Sequence, residues 1–231
     1  MSDGLFFPEA GLPRLFANRG EAGARLARAL LEYRGARPLV LGIPRGGVPV
    51  AAEVARALDG DLDVIVARKL GSPVSPELAV GAVTSDGARY LNQEAIDMLE
   101  VSPEYLESVT REQVAEAQAR EQRFRAGRPP IAVEGRVVIV VDDGLATGST
   151  MIAAVRSVRA RRPAKLVIAV PVAPRETVAA MRAESDDVVC PETPEPFIAV
   201  GIHYQDFSQT EDEEVQRIMG EWHAPAAAPA K

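Results

Sequence analysis

Residues 137–155 read VVIVVDDGLATGSTMIAAV, and the order of residue types in this stretch decides the fold. Five β-branched residues in a row, Val137 to Val141, predict a buried strand. The run ends on Asp142 and Asp143, and paired carboxylates closing an apolar strand are costly unless something partners them. Ala146-Thr147-Gly148-Ser149-Thr150 follows, and MIAAV then has the apolar content of a helix. Gly148 admits torsions that other residues resist, and the neighbouring hydroxyls add donors. Successive backbone N–H groups at a helix start form a nest for an anion, reinforced by the helix dipole. The pattern predicts a phosphate seat. It is not a Walker loop, since no lysine follows the last glycine. A phosphate would be repelled by two carboxylates, so the acids are expected to face hydroxyl groups or a bound magnesium. A phosphorylated sugar presents hydroxyls and a phosphate together.

Outward from this segment, strands and helices alternate. PLVLGIP (38–44), DVIVARKL (63–70), RVVIVVDD (136–143), KLVIAVPV (165–172) and DDVVCP (186–191) read as strands. Helices are expected at 18–34, with Asn18 as cap and Glu21 three residues on, at 48–58, at about 148–160 and at 174–184. AVGAVTSDGARYL predicts a hairpin turning at Asp86-Gly87. Ser102-Pro103-Glu104 starts a further helix running to Phe124, weakly amphipathic, suited to packing or a lid and assigned no chemistry. The expected fold class is α/β, with a mainly parallel central sheet flanked by helices. Ligands of such sheets gather beyond the carboxyl ends of the strands. Three loops leave those ends: Pro44-Arg45-Gly46-Gly47, Arg68-Lys69-Leu70-Gly71, and Asp142 to Thr150.

Composition narrows the function classes. The chain has 231 residues, a net charge of −7 and a single cysteine, Cys190. That charge argues against general affinity for nucleic acid or anionic membrane. One cysteine excludes an internal disulfide and fits a reducing compartment. The opening MSDGLFFPEAGLPRLF lacks the basic and apolar regions of a signal peptide, and no apolar run reaches membrane-spanning length. A cytoplasmic protein is expected. One domain is expected over 1–222, with a helical insertion at about 92–127 and a disordered tail at 223–231. His203 and His223 lack zinc-site spacing, and Cys190 reads as a core residue.

VVIVVDDGLATGSTM resembles the signature of the type I phosphoribosyltransferases: an apolar strand, two acids, two mostly apolar residues, then a Thr-Gly-x-Thr-like turn. GIPRGGVPVA, ARKLG, PELAVGAV and YQDFSQTEDEEV extend the resemblance over most of the chain, toward a bacterial group of that family without an assigned acceptor. The resemblance implies that Asp142 and Asp143 hold the ribose hydroxyls of phosphoribosyl diphosphate, and that Ala146, Thr147, Gly148, Ser149 and Thr150 hold its 5-phosphate. It implies a diphosphate loop at Arg45, Gly46 and Gly47, which in the family often holds an unusual cis peptide. Arg68 and Lys69 would supply further positive charge, and 71–83 would be the mobile loop closing over the substrate. Lys69, Arg45 and Asp143 are the expected catalytic residues. Magnesium is the implied cofactor, carried mainly by the substrate's own oxygens, with Asp142 and Asp143 reaching it only through water.

The acceptor is expected in a small hood built from parts of 1–20, of 192–212, or of both. Phe197, Tyr204 and Phe207, beside His203, Gln205 and Asp206, either stack on a planar acceptor or belong to the core. Purine-specific relatives can carry an acid where Ala146 stands, which argues against a hypoxanthine–guanine acceptor and selects no other. The family is commonly dimeric, so a homodimer is implied by analogy. The alternative is a regulatory protein that keeps the site as a sensor of phosphoribosyl diphosphate and has lost transfer. A receiver-like phosphoacceptor ranks last, since it does not explain the phosphate turn.

Overall fold

The computed structural model describes residues 14–76 and 78–222. The segment 1–13, Glu77, His223 and the tail at 223–231 lie outside the described residues, and with them the expected tail and part of the expected hood.

Five parallel strands form the central sheet: β1 (Leu39–Gly42), β2 (Asp61–Val64), β6 (Val137–Val141), β7 (Lys165–Ala169) and β8 (Asp187–Val189), in the order β2-β1-β6-β7-β8. β1 pairs with β6 from Leu39↔Val138 to Gly42↔Val141, so both central strands end level with each other. Alternate side chains face opposite sides, as strand geometry requires. Val40, Ile139, Val141 and Val167 pack under α1 (Arg19–Ala29), α2 (Gly47–Ala57) and α7 (Asp212–Trp222). Leu41, Val138, Val140 and Ile168 pack with α5 (Ser149–Ala160) and α6 (Arg175–Met181). The α/β class with a parallel central sheet is therefore as expected. Because β1 connects to β2 on one side while β6 leads to β7 on the other, the strand order reverses between β1 and β6. A crevice opens there beyond the carboxyl ends, where open α/β sheets take ligands.

The predicted strand at 63–70 is corrected. It is two strands in two sheets. β2 stops at Val64 because β1, its ladder partner, stops at Gly42. Ile65 donates the last backbone bond to Gly42, and the Val66 amide turns to Glu121 Oε1 at 3.1 Å. β3 (Ala67–Gly71) then pairs antiparallel with β4 (Ala79–Thr84), which pairs with β5 (Arg89–Leu91) across the turn at Asp86-Gly87. Arg68 and Lys69 therefore lie within a strand of the second sheet and do not sit at the end of a core strand.

That second sheet is fastened at two points. Asp86 accepts from Thr84 Oγ1 at 2.6 Å, from Ser157 Oγ of α5 at 2.6 Å and from Arg161 at 2.9 Å. At the other joint, α4 (Pro103–Phe124) delivers Glu121, and Arg125 follows directly after it. Arg125 donates to Asp63 at 2.8 Å, to Glu121 at 2.7 Å and to the Val64 carbonyl at 2.7 Å. Charges removed from water hold together only when fully paired, and these are. α4 starts as predicted, with the Ser102 hydroxyl accepting from Tyr105 N. The sequence signals neither α7 nor the short α3 (Gln93–Met98). No described helix is long and apolar enough to cross a membrane.

Candidate active site

The loops that follow β1 and β6 meet at the crevice. Asn18 caps α1 by accepting from Glu21 N at 3.0 Å, which sets Arg19 at the first helical position. The Pro44–Arg45 peptide is cis, in the loop where the resemblance places such a bond. Gly46 is the close-packed point. A Cβ built on it would stand 2.0 Å from Asp143 Oδ2, and one on Gly47 would stand 2.7 Å from the Val141 carbonyl. Neither loop could approach the other if these positions carried side chains.

Asp142 and Asp143 lie mostly buried, with a small exposed edge. Asp143 N donates to Asp142 Oδ1 at 2.9 Å, and Arg19 Nε donates to Asp143 Oδ2 at 2.8 Å. The two carboxyl groups also lie within hydrogen-bonding reach of each other. Burial, and then the neighbouring Asp143 charge, push the Asp142 carboxyl well above the usual carboxylate range. Burial also raises Asp143, and Arg19 pulls it back. Tyr204 Oη donates to the Asp143 carbonyl at 2.6 Å, which fixes the backbone beneath the pair.

The turn at 146–150 has Gly148 at φ +77, where a β-carbon is disfavoured. Ala146 and Thr147 are exposed, and Ser149 and Thr150 open α5. The amides of Thr147 to Thr150 have no acceptor among the described residues, while Thr177 Oγ1 braces the turn through the Ala146 carbonyl at 2.7 Å. Four adjacent donors at a helix N-terminus form an anion nest.

The cations are distributed unevenly. Arg45 leans on Glu211 Oε2 at 3.4 Å and Asp212 Oδ1 at 3.5 Å, so it is engaged with the chain before and at the start of α7. Lys69 is exposed. With Arg68, Gly71, Tyr105 and Thr150 it lines a cavity of about 560 Å3 between β3, α4 and the start of α5. Arg68 donates to Gln113 on α4 at 3.1 Å, and its burial lowers its affinity for the proton. Lys69 and the phosphate-type turn thus share a cavity, and Arg68 is drawn toward α4. No group of three His, Cys, Asp or Glu residues suited to holding a metal occurs among the described residues.

The aromatic segment resolves mainly into core. Phe16, Tyr204 and Val172 are buried together, with Phe197 and Phe207 packed against them. Cys190 is half-buried, and burial pushes its thiol up to about 11. Sequence reasoning misses Arg19, the Tyr204 hydroxyl bond, Thr177 and the acids facing Arg45. Arg19 lies 124 positions from Asp143, and no local signal links them.

Comparison with known proteins gives a consistent set of likenesses. The family model described as the phosphoribosyl transferase domain matches residues 15–206. Two Mycobacterium tuberculosis proteins, from strains CDC 1551 and H37Rv, bear names that place them provisionally among the phosphoribosyl transferases. Each is 46% identical over 210 residues, covering 91% of this chain. The chain spans about half the length of these curated relatives, 47% of each. The crystal structure of TT1426 from Thermus thermophilus is 44% identical, with a TM-score of 0.76 over 90% of this chain and 98% of that one.

Proposed function

The chain belongs to the phosphoribosyl transferase domain family, and from that premise we propose that it transfers 5-phosphoribosyl from phosphoribosyl diphosphate to a nitrogen acceptor, releasing diphosphate. The observation that carries this reading is the division of labour at the crevice. The Asp142–Asp143 carboxyl pair would meet two adjacent hydroxyls, and the Thr147–Thr150 amides would meet a phosphate.

In the reaction the bond from the anomeric carbon to diphosphate breaks and a bond to the acceptor nitrogen forms, with that nitrogen's proton lost. Positive charge grows on the sugar while negative charge departs. The Asp142–Asp143 pair faces the first charge. Arg45 and Lys69 answer the second, Arg45 after exchanging Glu211 and Asp212 for diphosphate oxygens. Magnesium, borne by the substrate and reached by the acids only through water, would help neutralise the diphosphate. Of the segment 71–83 expected to be mobile, Gly71 ends β3 and residues 79–83 belong to β4, so only the connection between the two strands, beside Lys69, would close over the sugar and keep water from it.

Calorimetry with phosphoribosyl diphosphate, with and without magnesium, tests the cosubstrate. Product analysis with a panel of nucleobases and amines tests the transfer. Binding without any acceptor product would favour a sensing role, and no binding would overturn both readings.

A further inference from the structure

Arg19 is held on several sides. Its Nε meets Asp143 Oδ2 at 2.8 Å, its Nη1 donates to the Ser208 carbonyl at 2.7 Å, and its guanidinium lies 4.1 Å over the Phe207 ring. Only 12% of its side chain is exposed. Behind it stands the bare backbone of Gly46, where a Cβ would lie 3.0 Å from Nε. A guanidinium bonded in two directions and stacked on a ring is fixed in orientation, in contrast to an arginine paired with one carboxylate in solvent.

The consequence falls on Asp143. One of its oxygens is taken by Arg19, which fixes the plane of the carboxylate and so the direction of the other. Asp142 is pinned in the same way, with Oδ1 held by the Asp143 amide at 2.9 Å. Each acid is thus fastened through one oxygen. For Asp142 the fastening is local backbone. For Asp143 it is Arg19, whose own position depends on residues 207 and 208.

We propose that Arg19 is a positioning residue that aims the Asp143 carboxylate at the sugar hydroxyls and makes that aim depend on the 207–208 segment being seated. The inference rests on the ribose reading above. It implies that a segment packed beside the site, on the side expected to receive the acceptor, sets how well the cosubstrate is gripped. Phe207 then influences sugar binding from behind the guanidinium.

The test is a double-mutant cycle read by calorimetry with phosphoribosyl diphosphate and magnesium, with thermal melting recorded for each variant. Arg19→Gln should weaken binding at least about tenfold. Arg19→Lys should recover part of that loss, since an ammonium can meet Asp143 but lacks the planar fork that also reaches Ser208. In an Asp143→Asn background, Arg19→Gln should cost little more, because both act through one carboxylate. Phe207→Leu, which keeps Arg19, should weaken binding by a smaller factor and serves if the glutamine variant fails to fold. Additive losses in the cycle, or unchanged affinity in Arg19→Gln and Phe207→Leu, would overturn the proposal while leaving the cosubstrate reading intact. A wild-type protein that does not bind would overturn the cosubstrate reading, and this inference with it.

Discussion

Gly46 and Asp143 are packed so closely that a methyl group on the glycine would stand 2.0 Å from the carboxylate oxygen Oδ2. The neighbour is a carboxylate held by Arg19, so it has no free direction in which to yield. Gly46→Ala is therefore expected to drive the loops after β1 and β6 apart. Overpacking of this kind costs about 1–3 kcal/mol of stability. The larger effect should be on the site, with affinity for phosphoribosyl diphosphate falling at least about tenfold. Calorimetry paired with a melting curve checks it, and a folded variant of unchanged affinity would contradict the assignment of this contact.

Lys69 occupies the opposite situation. It is exposed on β3, without a hydrogen-bond or ion-pair partner among the described residues, so Lys69→Ala should shift stability by no more than about 0.5 kcal/mol. If its role is to answer charge that leaves with diphosphate, turnover should fall about a hundredfold while binding of the cosubstrate changes little. Asp143→Asn should do the reverse in emphasis and weaken ribose binding as well as turnover. Steady-state kinetics beside direct binding measurements separate the two, and equal loss of both in the lysine variant would remove Lys69 from its role.

The contrast between these residues bears on what a linear reading can reach. The segment 137–155 is legible because its determinants are local: a β-branched run, two acids, a glycine and the start of a helix. The hairpin at Asp86-Gly87 is legible for the same reason. The break at residues 65–66 is not. Ile65 and Val66 continue an apolar run without interruption, yet the chain leaves the sheet where β1 ends, and Glu121, 55 positions away, receives the Val66 amide. Arg19 is hidden similarly, since its meaning comes from Asp143, Ser208 and Phe207, which only the fold brings to it. The aromatics at 197–207 leave two readings open because a ring that lines a ligand and a ring that fills a core look identical in sequence.

The buried acid pair should leave a mark on stability. The Asp142 carboxyl is raised well above its ordinary value by burial and by Asp143. A raised acid binds its proton more tightly folded than unfolded. Its stabilising contribution is therefore full below the unfolded value, near pH 4, and is lost as pH rises through the folded one. Asp142→Asn can keep the bond from Asp143 N and never ionises. In magnesium-free buffer at neutral pH the variant should melt a few degrees higher than the wild type, by roughly 2–4 °C per kcal/mol for a chain of this size. The difference should close as pH falls toward 4. Its affinity for phosphoribosyl diphosphate should drop all the same, the trade expected when a site is built at the expense of stability. A variant that melts lower at neutral pH would show that the acid is not strained by its burial.

Asp86 has the opposite sign, and its position gives that sign a functional reading. Although burial works against its charge, the bonds from Ser157, Thr84 and Arg161 depress its carboxyl to about 2. A depressed acid contributes stability above its unfolded value, near 4, and loses it as pH falls through about 2. Asp86 is partly exposed, and solvent screening reduces the worth of its ion pair, so Asp86→Asn should cost about 1 kcal/mol at neutral pH. Because Asp86 ties the turn of the second sheet to α5, the loss should not be uniform. α5 begins at the phosphate-type turn, and β3 of that sheet carries Lys69, so loosening the tie allows Lys69 to drift from Thr150. The expected outcome is a modest fall in melting temperature together with a fall in turnover larger than any change in cosubstrate affinity, echoing Lys69→Ala in milder form. Ser157→Ala removes one strand of the tie without touching the charge and should fall between wild type and Asp86→Asn in both measurements. Should either variant lower affinity and leave turnover alone, the second sheet would be holding the cosubstrate itself, and Lys69 would have to be reassigned to binding.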